Sequence, residues 1–207
     1  MVEREVTGVL LAGGQSRRMG EDKRHLLVGE QTLLERGLAV LRLLFPDVLV
    51  VIAQSSPPLD VEATVLRDMV PDCGSLGGLY TGLTRAETPY VFVVACDMPF
   101  LNPAVISQFI DRRDTMDIVM AKLGDQLHPM HALYGKRCLP FVQQMIDERQ
   151  LKIQRLVTCP SLHVRYVLEE DLTSTDPSWR SFQNVNTPED LAVARSLLTH
   201  SPPAEPR

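Results

Sequence analysis

Val6-Thr-Gly-Val-Leu-Leu-Ala-Gly-Gly-Gln-Ser-Arg-Arg-Met-Gly-Glu-Asp-Lys23 is the decisive stretch of this 207-residue chain. Val6–Leu11 is β-branched and leucine-rich, the pattern of a strand buried in a sheet. It closes on Ala12-Gly13-Gly14, and the three glycines between Leu11 and Lys23 let the backbone turn sharply and come close to a ligand. Successive free N–H groups in such a loop form an anion-binding concavity. Arg17, Arg18 and Lys23 add three cations within seven residues. Arg suits forked contact with phosphate oxygens, and Lys acts as a mobile point charge. Glycines alone fit a tight solvated turn equally well; glycines with clustered cations after a buried strand point to a phosphate-binding loop. The pattern is neither G-x-x-x-x-G-K-[ST] nor G-x-G-x-x-G, so the two standard nucleotide fingerprints do not apply.

Outward from this loop, apolar runs of strand length alternate with amphipathic segments of helix length. Leu33, Leu34, Leu38, Leu41 and Leu44 recur at helical spacing, and Thr32 with Glu35 has the form of a capping box. Pro46 stops that helix, and Val48–Ala53 and Thr64–Leu66 read as strands. A short helix is expected at Gly78–Arg85, a fully apolar strand at Tyr90–Ala95, and a helix from Pro103 to Arg112. Ile118–Ala121 and Met130–Tyr134 are further strands, followed by a helix at Leu139–Asp147, an edge strand at His163–Val167 and a capped helix at Pro188–Leu198. This alternation predicts a three-layer α/β/α sandwich with a mostly parallel sheet, whose ligands bind at the carboxyl ends of the strands. Residues 1–199 are expected to form one domain, and 200–207, with three prolines in eight residues, a disordered tail.

Bulk composition narrows the function. The formal charge of −5 disfavours a nucleic-acid-binding module, which carries a basic excess. Four cysteines lie far apart without a C-x-x-C pair, the pattern of reduced cytosolic thiols. No signal peptide and no apolar run of membrane-spanning length is visible, so the expected location is the cytoplasm.

Three further places carry chemistry. Asp97 follows the apolar strand Val91-Phe-Val-Val-Ala and delivers a lone carboxylate to a strand end, where Mg²⁺ on phosphates needs a hard oxygen ligand; such an Asp also caps turns. Arg149-Gln-Leu-Lys-Ile-Gln-Arg155 reads as a basic helical stretch, either a solvated face or an anion contact. Asn184 and Asn186 alternate ahead of the Thr187 cap, so both amides face one side of an extended segment. His128 and His131 lack a carboxylate or cysteine at ligand spacing and make a poor zinc pair.

Residues 11–23 resemble the signature L-A-G-G-x-S-x-R-M-G-x-D-K of the molybdenum cofactor guanylyltransferases (MobA type), within the nucleotidyltransferase superfamily. The resemblance extends to Asp97-Met-Pro99 and to Asn184-Val-Asn-Thr-Pro-Glu-Asp190, and spans Thr7 to Leu198. Relatives that use sugar phosphates or cytidylyl groups more often show Ala-Ala-Gly and Pro-Lys here, so Gly13-Gly14 and Asp22-Lys23 favour the guanylyl branch. Asp72-Cys-Gly-Ser-Leu-Gly-Gly-Leu79 is similar to the family's G-P-L-x-G-L segment, with Ser75 in place of proline.

The resemblance implies a Rossmann-like nucleotide-diphospho-sugar transferase fold and a Mg²⁺-dependent transfer of GMP from GTP to the phosphate of the molybdenum cofactor. It implies nucleotide contacts from Leu11, Ala12, Gly13, Lys23, Asp68, Gly77 and Asp97, with Asp97 as metal ligand. Arg18, Lys23 and Asp97 are the implied catalytic groups. Arg18, Lys152, Asn184 and Asn186 are the implied acceptor contacts, the paired amides suiting a pterin edge. Implied protein partners deliver the cofactor or receive it as apo-molybdoenzymes. Two alternatives remain open at this level: a cytidylyl- or sugar-phosphate nucleotidyltransferase of the same fold, and a non-catalytic GTP- or cofactor-binding protein.

Overall fold

The structure is a computed structural model that describes residues 3–13 and 22–199. Arg17, Arg18 and the expected tail at 200–207 lie outside the described residues. The first strand, β1 (Val6–Leu11), leads through residues 22–26 to a small hairpin of β2 (Leu27–Val28) and β3 (Gln31–Thr32). Then follow α1 (Leu33–Leu44), β4 (Val48–Ile52), β5 (Thr64–Arg67), α2 (Gly74–Arg85), β6 (Tyr90–Ala95) and α3 (Pro103–Asp111). The second half comprises β7 (Ile118–Leu123), β8 (Gln126–Gly135), α4 (Leu139–Asp147), β9 (Val164–Val167), α5 (Glu169–Leu172) and α6 (Pro188–Thr199).

Among the described residues, seven strands form one sheet in the order β5-β4-β1-β6-β8-β7-β9. β8 runs antiparallel to both of its neighbours, and the other pairings are parallel, as the alternation of elements predicts. Both faces of the sheet are buried, so successive residues of one strand enter different cores. Leu10, Val50, Ile52, Phe92 and Val94 pack with Leu38 and Leu41 of α1 and with Ile106 and Phe109 of α3. Their strand neighbours Val9, Val51, Val91 and Val93 pack with Leu76, Leu79 and Leu83 of α2 and Val142 of α4. These are the three layers expected from the sequence. No helix among the described residues is long and apolar enough to cross a membrane.

Local chemistry sets the helix starts. Thr32 accepts from the Glu35 N–H at 3.2 Å while the Glu35 carboxylate accepts from the Thr32 N–H at 2.8 Å, a complete capping box at the head of α1. At α6 the same device uses Asp190, which accepts from the N–H groups of Asn186 (2.8 Å) and Thr187 (2.9 Å).

Several elements differ from the sequence expectation. α2 begins at Gly74 rather than Gly78, because packing on the sheet draws in glycines whose helix propensity is poor. β8 spans Gln126–Gly135, longer than Met130–Tyr134, since it pairs with β7 across the turn at Gly124 (φ 56°). The basic stretch at 149–155 is not a helix. Arg149 takes a left-handed conformation (φ 56°) that ends α4, and the chain resumes as a 3₁₀ turn at Ile153–Thr158. Ile153 and Leu156, three residues apart, bury one side of that turn.

His131 of β8 is fully buried against Phe92, Phe109 and Phe182, with ring centroids 5.4, 5.3 and 4.5 Å away. Neither ring nitrogen has a hydrogen-bond partner among the described residues, so it is a core histidine rather than a ligand. Burial pushes its pKa from 6.5 down to about 3, opposed by the Ser181 backbone and with His128 adding to the effect. The unfolded chain therefore binds a proton that the native state refuses. Stability from this group is complete above the ordinary histidine value and is lost as pH falls from there toward the depressed one. Urea unfolding should show His131→Leu losing about 2–3 kcal/mol less than the wild type between pH 7 and pH 4.5; equal losses would contradict this account.

A cleft where the strand order reverses

From β1 the chain steps outward to β4 and β5, then returns to place β6 on the other side of β1. The loops that follow β1 and β6 must therefore diverge from neighbouring strand ends and leave a crevice between them. Leu11 is in register with Ala95, and the Cys96 N–H donates to the Leu11 carbonyl at 2.9 Å. The cleft that opens here holds about 690 Å³, and its lining includes Leu11, Ala12, Gly13, Lys23, Asp68, Asp97 and Asn184.

The floor is backbone. The Ala12 N–H donates to the Val51 carbonyl at 2.8 Å, extending the β1–β4 ladder past the strand end. A Cβ on Gly13 would stand 2.9 Å from the Ala53 nitrogen, so only glycine lets the two loops approach this closely. Arg67 ties down the loop after β4 by donating to the carbonyls of Gln54 (2.5 Å) and Ser56 (2.9 Å).

The charged centre brings together residues far apart in sequence. Lys23 Nζ lies 2.8 Å from Asn186 Oδ1 and 3.5 Å from Asp97 Oδ2. The Val185 N–H donates to the Asp97 carbonyl at 2.8 Å, so the segment before α6 is strapped directly onto the Asp97 turn. Asp97 Oδ1 is buried and has no hydrogen-bond partner among the described residues. Burial pushes the Asp97 carboxyl above the usual carboxylate range, and the Lys23 ammonium opposes this.

Asp68, just past β5, shows the same bias: its burial raises it, while bonds from the Val70 N–H (3.0 Å) and the Thr81 hydroxyl (3.2 Å) hold it down. Gly77 stands behind this carboxylate, since a Cβ there would fall 2.7 Å from Asp68 Oδ2. The cleft wall itself is made by Gly74, Ser75 and Gly78 of α2. Lys152 is exposed at the head of the 3₁₀ turn and is not among the cleft-lining residues. Arg18 lies outside the described residues.

Sequence reasoning passed over Arg24, which also lines the cleft and is only 5% exposed. Its Nε donates to Asp22 at 2.9 Å and its Nη2 pairs with the same carboxylate, while the Arg24 N–H donates to Asp22 at 3.1 Å. A further arginine directly after Lys23 is the signal that the sequence itself offered. A local salt bridge two residues back explains how it is buried.

A family model described as the MobA-like NTP transferase domain matches residues 8–163. A protein of Pelotomaculum thermopropionicum named "Probable molybdenum cofactor guanylyltransferase" is 33% identical over 95% of this chain and 95% of its own length. A molybdenum cofactor guanylyltransferase of Desulfosudis oleivorans is 33% identical over 93% of this chain and 96% of its own. Among solved structures, molybdopterin-guanine dinucleotide biosynthesis protein A from Archaeoglobus fulgidus superposes with a TM-score of 0.80 at 25% identity. That superposition covers 94% of this chain and all of the other.

A carboxylate whose ionised form is disfavoured by burial costs stability at neutral pH. In metal-free buffer at pH 7, Asp97→Asn should melt no lower than the wild type. A melting temperature several degrees lower would show that the Lys23 pairing outweighs the burial.

Proposed function

We propose that this chain, which belongs to the MobA-like NTP transferase family, is a molybdenum cofactor guanylyltransferase that transfers GMP from GTP to the phosphate of Mo-molybdopterin. An oxygen of the cofactor's terminal phosphate attacks the α-phosphorus of GTP in line, the α–β phosphoanhydride bond breaks, and pyrophosphate departs. The observation that carries the reading is the junction of Lys23, Asp97 and Asn186 at the strand switch of the cleft. The choice of guanylyl over other nucleotidyl groups rests on the names of the relatives.

The attacking phosphate is already anionic, so no strong general base is required, and catalysis reduces to positioning and charge neutralisation. Leu11, Ala12 and Gly13 hold the guanine and ribose through backbone groups, and Asp68 contacts the nucleotide from the β5 side. Lys23 faces the phosphates, and the family resemblance assigns Arg18 to the same task. Asn184 and Asn186 present amides to the pterin, and the family resemblance assigns Lys152 to the acceptor's phosphate. The unpartnered Oδ1 of Asp97 suits a hard cation. Among the described residues no group of three His, Cys, Asp or Glu side chains could cage one, which fits an ion held largely by substrate phosphates. Asp97 would hold the Mg²⁺, which would supply charge stabilisation at the reacting phosphates. The reaction belongs in the cytoplasm, a reading supported by four free cysteines, three of them buried. Proteins that deliver the cofactor and the apo-molybdoenzymes that receive it are the expected partners.

Turnover with GTP, CTP or UTP in the presence of Mg²⁺ and the reduced-pterin acceptor tests this directly. GTP should be used at least tenfold more efficiently than CTP, a discrimination of about 1.4 kcal/mol. Asp97→Ala should lower kcat by about a hundredfold or more while the protein still unfolds cooperatively. Preference for CTP, or wild-type turnover by Asp97→Ala, would overturn the assignment.

A further inference from the structure

We propose that Arg24 is an additional phosphate ligand of the cleft, held in position by Asp22. The proposal rests on the transferase reading above but concerns a residue to which that reading gives no role. Asp22 occupies one edge of the Arg24 guanidinium, the edge formed by Nε and Nη2. The remaining terminal nitrogen, Nη1, is buried and has no hydrogen-bond partner among the described residues.

A guanidinium stays charged at every physiological pH, and bare N–H groups on a buried charge are among the most unfavourable polar groups a fold can carry. Asp22 balances the charge, which lets the pair remain buried in the unliganded protein. It does not satisfy Nη1. An orphan of this kind calls for an acceptor that arrives from outside.

The surroundings specify that acceptor. Arg24 lines the same cleft as Lys23 and Asp97, the residues assigned to the reacting phosphates. Lys23 points to Asp97 and Asn186, while Arg24 points to Asp22, so neighbouring residues present two cations on different supports. An anionic phosphate oxygen is the acceptor that best matches a planar, permanently charged donor. Asp22 then has a definite task. It caps the 3₁₀ turn Lys23–His25 and fixes the plane of the guanidinium, and so acts as a positioning residue. The phosphate belongs either to the nucleotide or to the acceptor.

The full-length protein and its Arg24→Gln and Arg24→Lys variants would be titrated calorimetrically with GTP and with inorganic pyrophosphate. The KM for each substrate and the ligand-free melting temperature would be measured alongside. Arg24→Gln should weaken one phosphate ligand by about tenfold or more, and Arg24→Lys by less. Parallel losses for GTP and pyrophosphate place the contact on the nucleotide. A raised KM for the pterin acceptor with unchanged GTP binding places it on the acceptor. Asp22→Asn should raise the same constant but add little in the Arg24→Gln background.

Unchanged affinities and KM values in a folded Arg24 variant would overturn the proposal, whatever happens to the melting temperature. Should Arg24→Gln not fold, the Arg24→Lys measurements decide by the same criteria. A wild-type protein that binds pyrophosphate but transfers no GMP would defeat the transferase reading and leave the pyrophosphate comparison to judge Arg24.

Discussion

One backbone hydrogen bond, from the Cys96 N–H to the Leu11 carbonyl, is the constraint on which the rest of the site depends. It closes the last rung between β1 and β6, and beyond it the two loops must part, because one leads toward α1 and the other toward α3. The crevice is therefore a topological result before it is a chemical one. Asp97 is one residue past the rung and stands at the mouth of that opening. Packing on both faces of the sheet holds the rung fixed, so the mouth of the cleft inherits the rigidity of the core.

Electrostatics at the cleft works against the fold. Asp97 and Asp68 are both pushed toward protonation by burial, and each is only partly compensated by its neighbours. Arg24 is compensated in charge by Asp22 but not in hydrogen bonding. Such groups would be poor choices in a structural core, where buried polar atoms are normally satisfied. Their concentration at the strand switch, while the sheet interior is almost wholly apolar, matches the rule that perturbed groups cluster where ligands bind. His131 is a separate case: it sits among aromatic rings, is not part of the cleft lining, and weakens the fold further when acidified.

Much of this was legible in the sequence because the relevant signals are local. The apolar runs at Val6–Leu11 and Tyr90–Ala95 can only be strands buried on both faces, and the capping residues Thr32 and Thr187 fix two helix starts. Lys23 and Asp97 were identified by type and position and Asp68 through the family resemblance, and the fold brings all three to one cleft. What stayed hidden depends on tertiary contact. Nothing local says that Gly74–Gly78 will be helical, since sheet packing overrides propensity there. The antiparallel course of β8 follows from pairing with β7 through a turn that periodicity does not reveal. Arg24 was overlooked because an arginine beside other cations reads as solvated until its salt bridge to Asp22 is seen.

The strap formed by Val185 and Asn186 also bears on how the molecule is made. Every strand of the sheet precedes residue 168, whereas Val185, which secures the Asp97 turn, and Asn186, which meets Lys23, come later. A growing polypeptide thus has every segment of its sheet synthesised while the junction of Lys23 and Asp97 still lacks Asn186 and the Val185 strap. Closure of that junction waits for the last segment to be made. A chain interrupted between β9 and Val185 would lack both the strap and the core residues Val185, Leu191 and Ala194, so the last segment made completes the junction and the packing of one sheet face together.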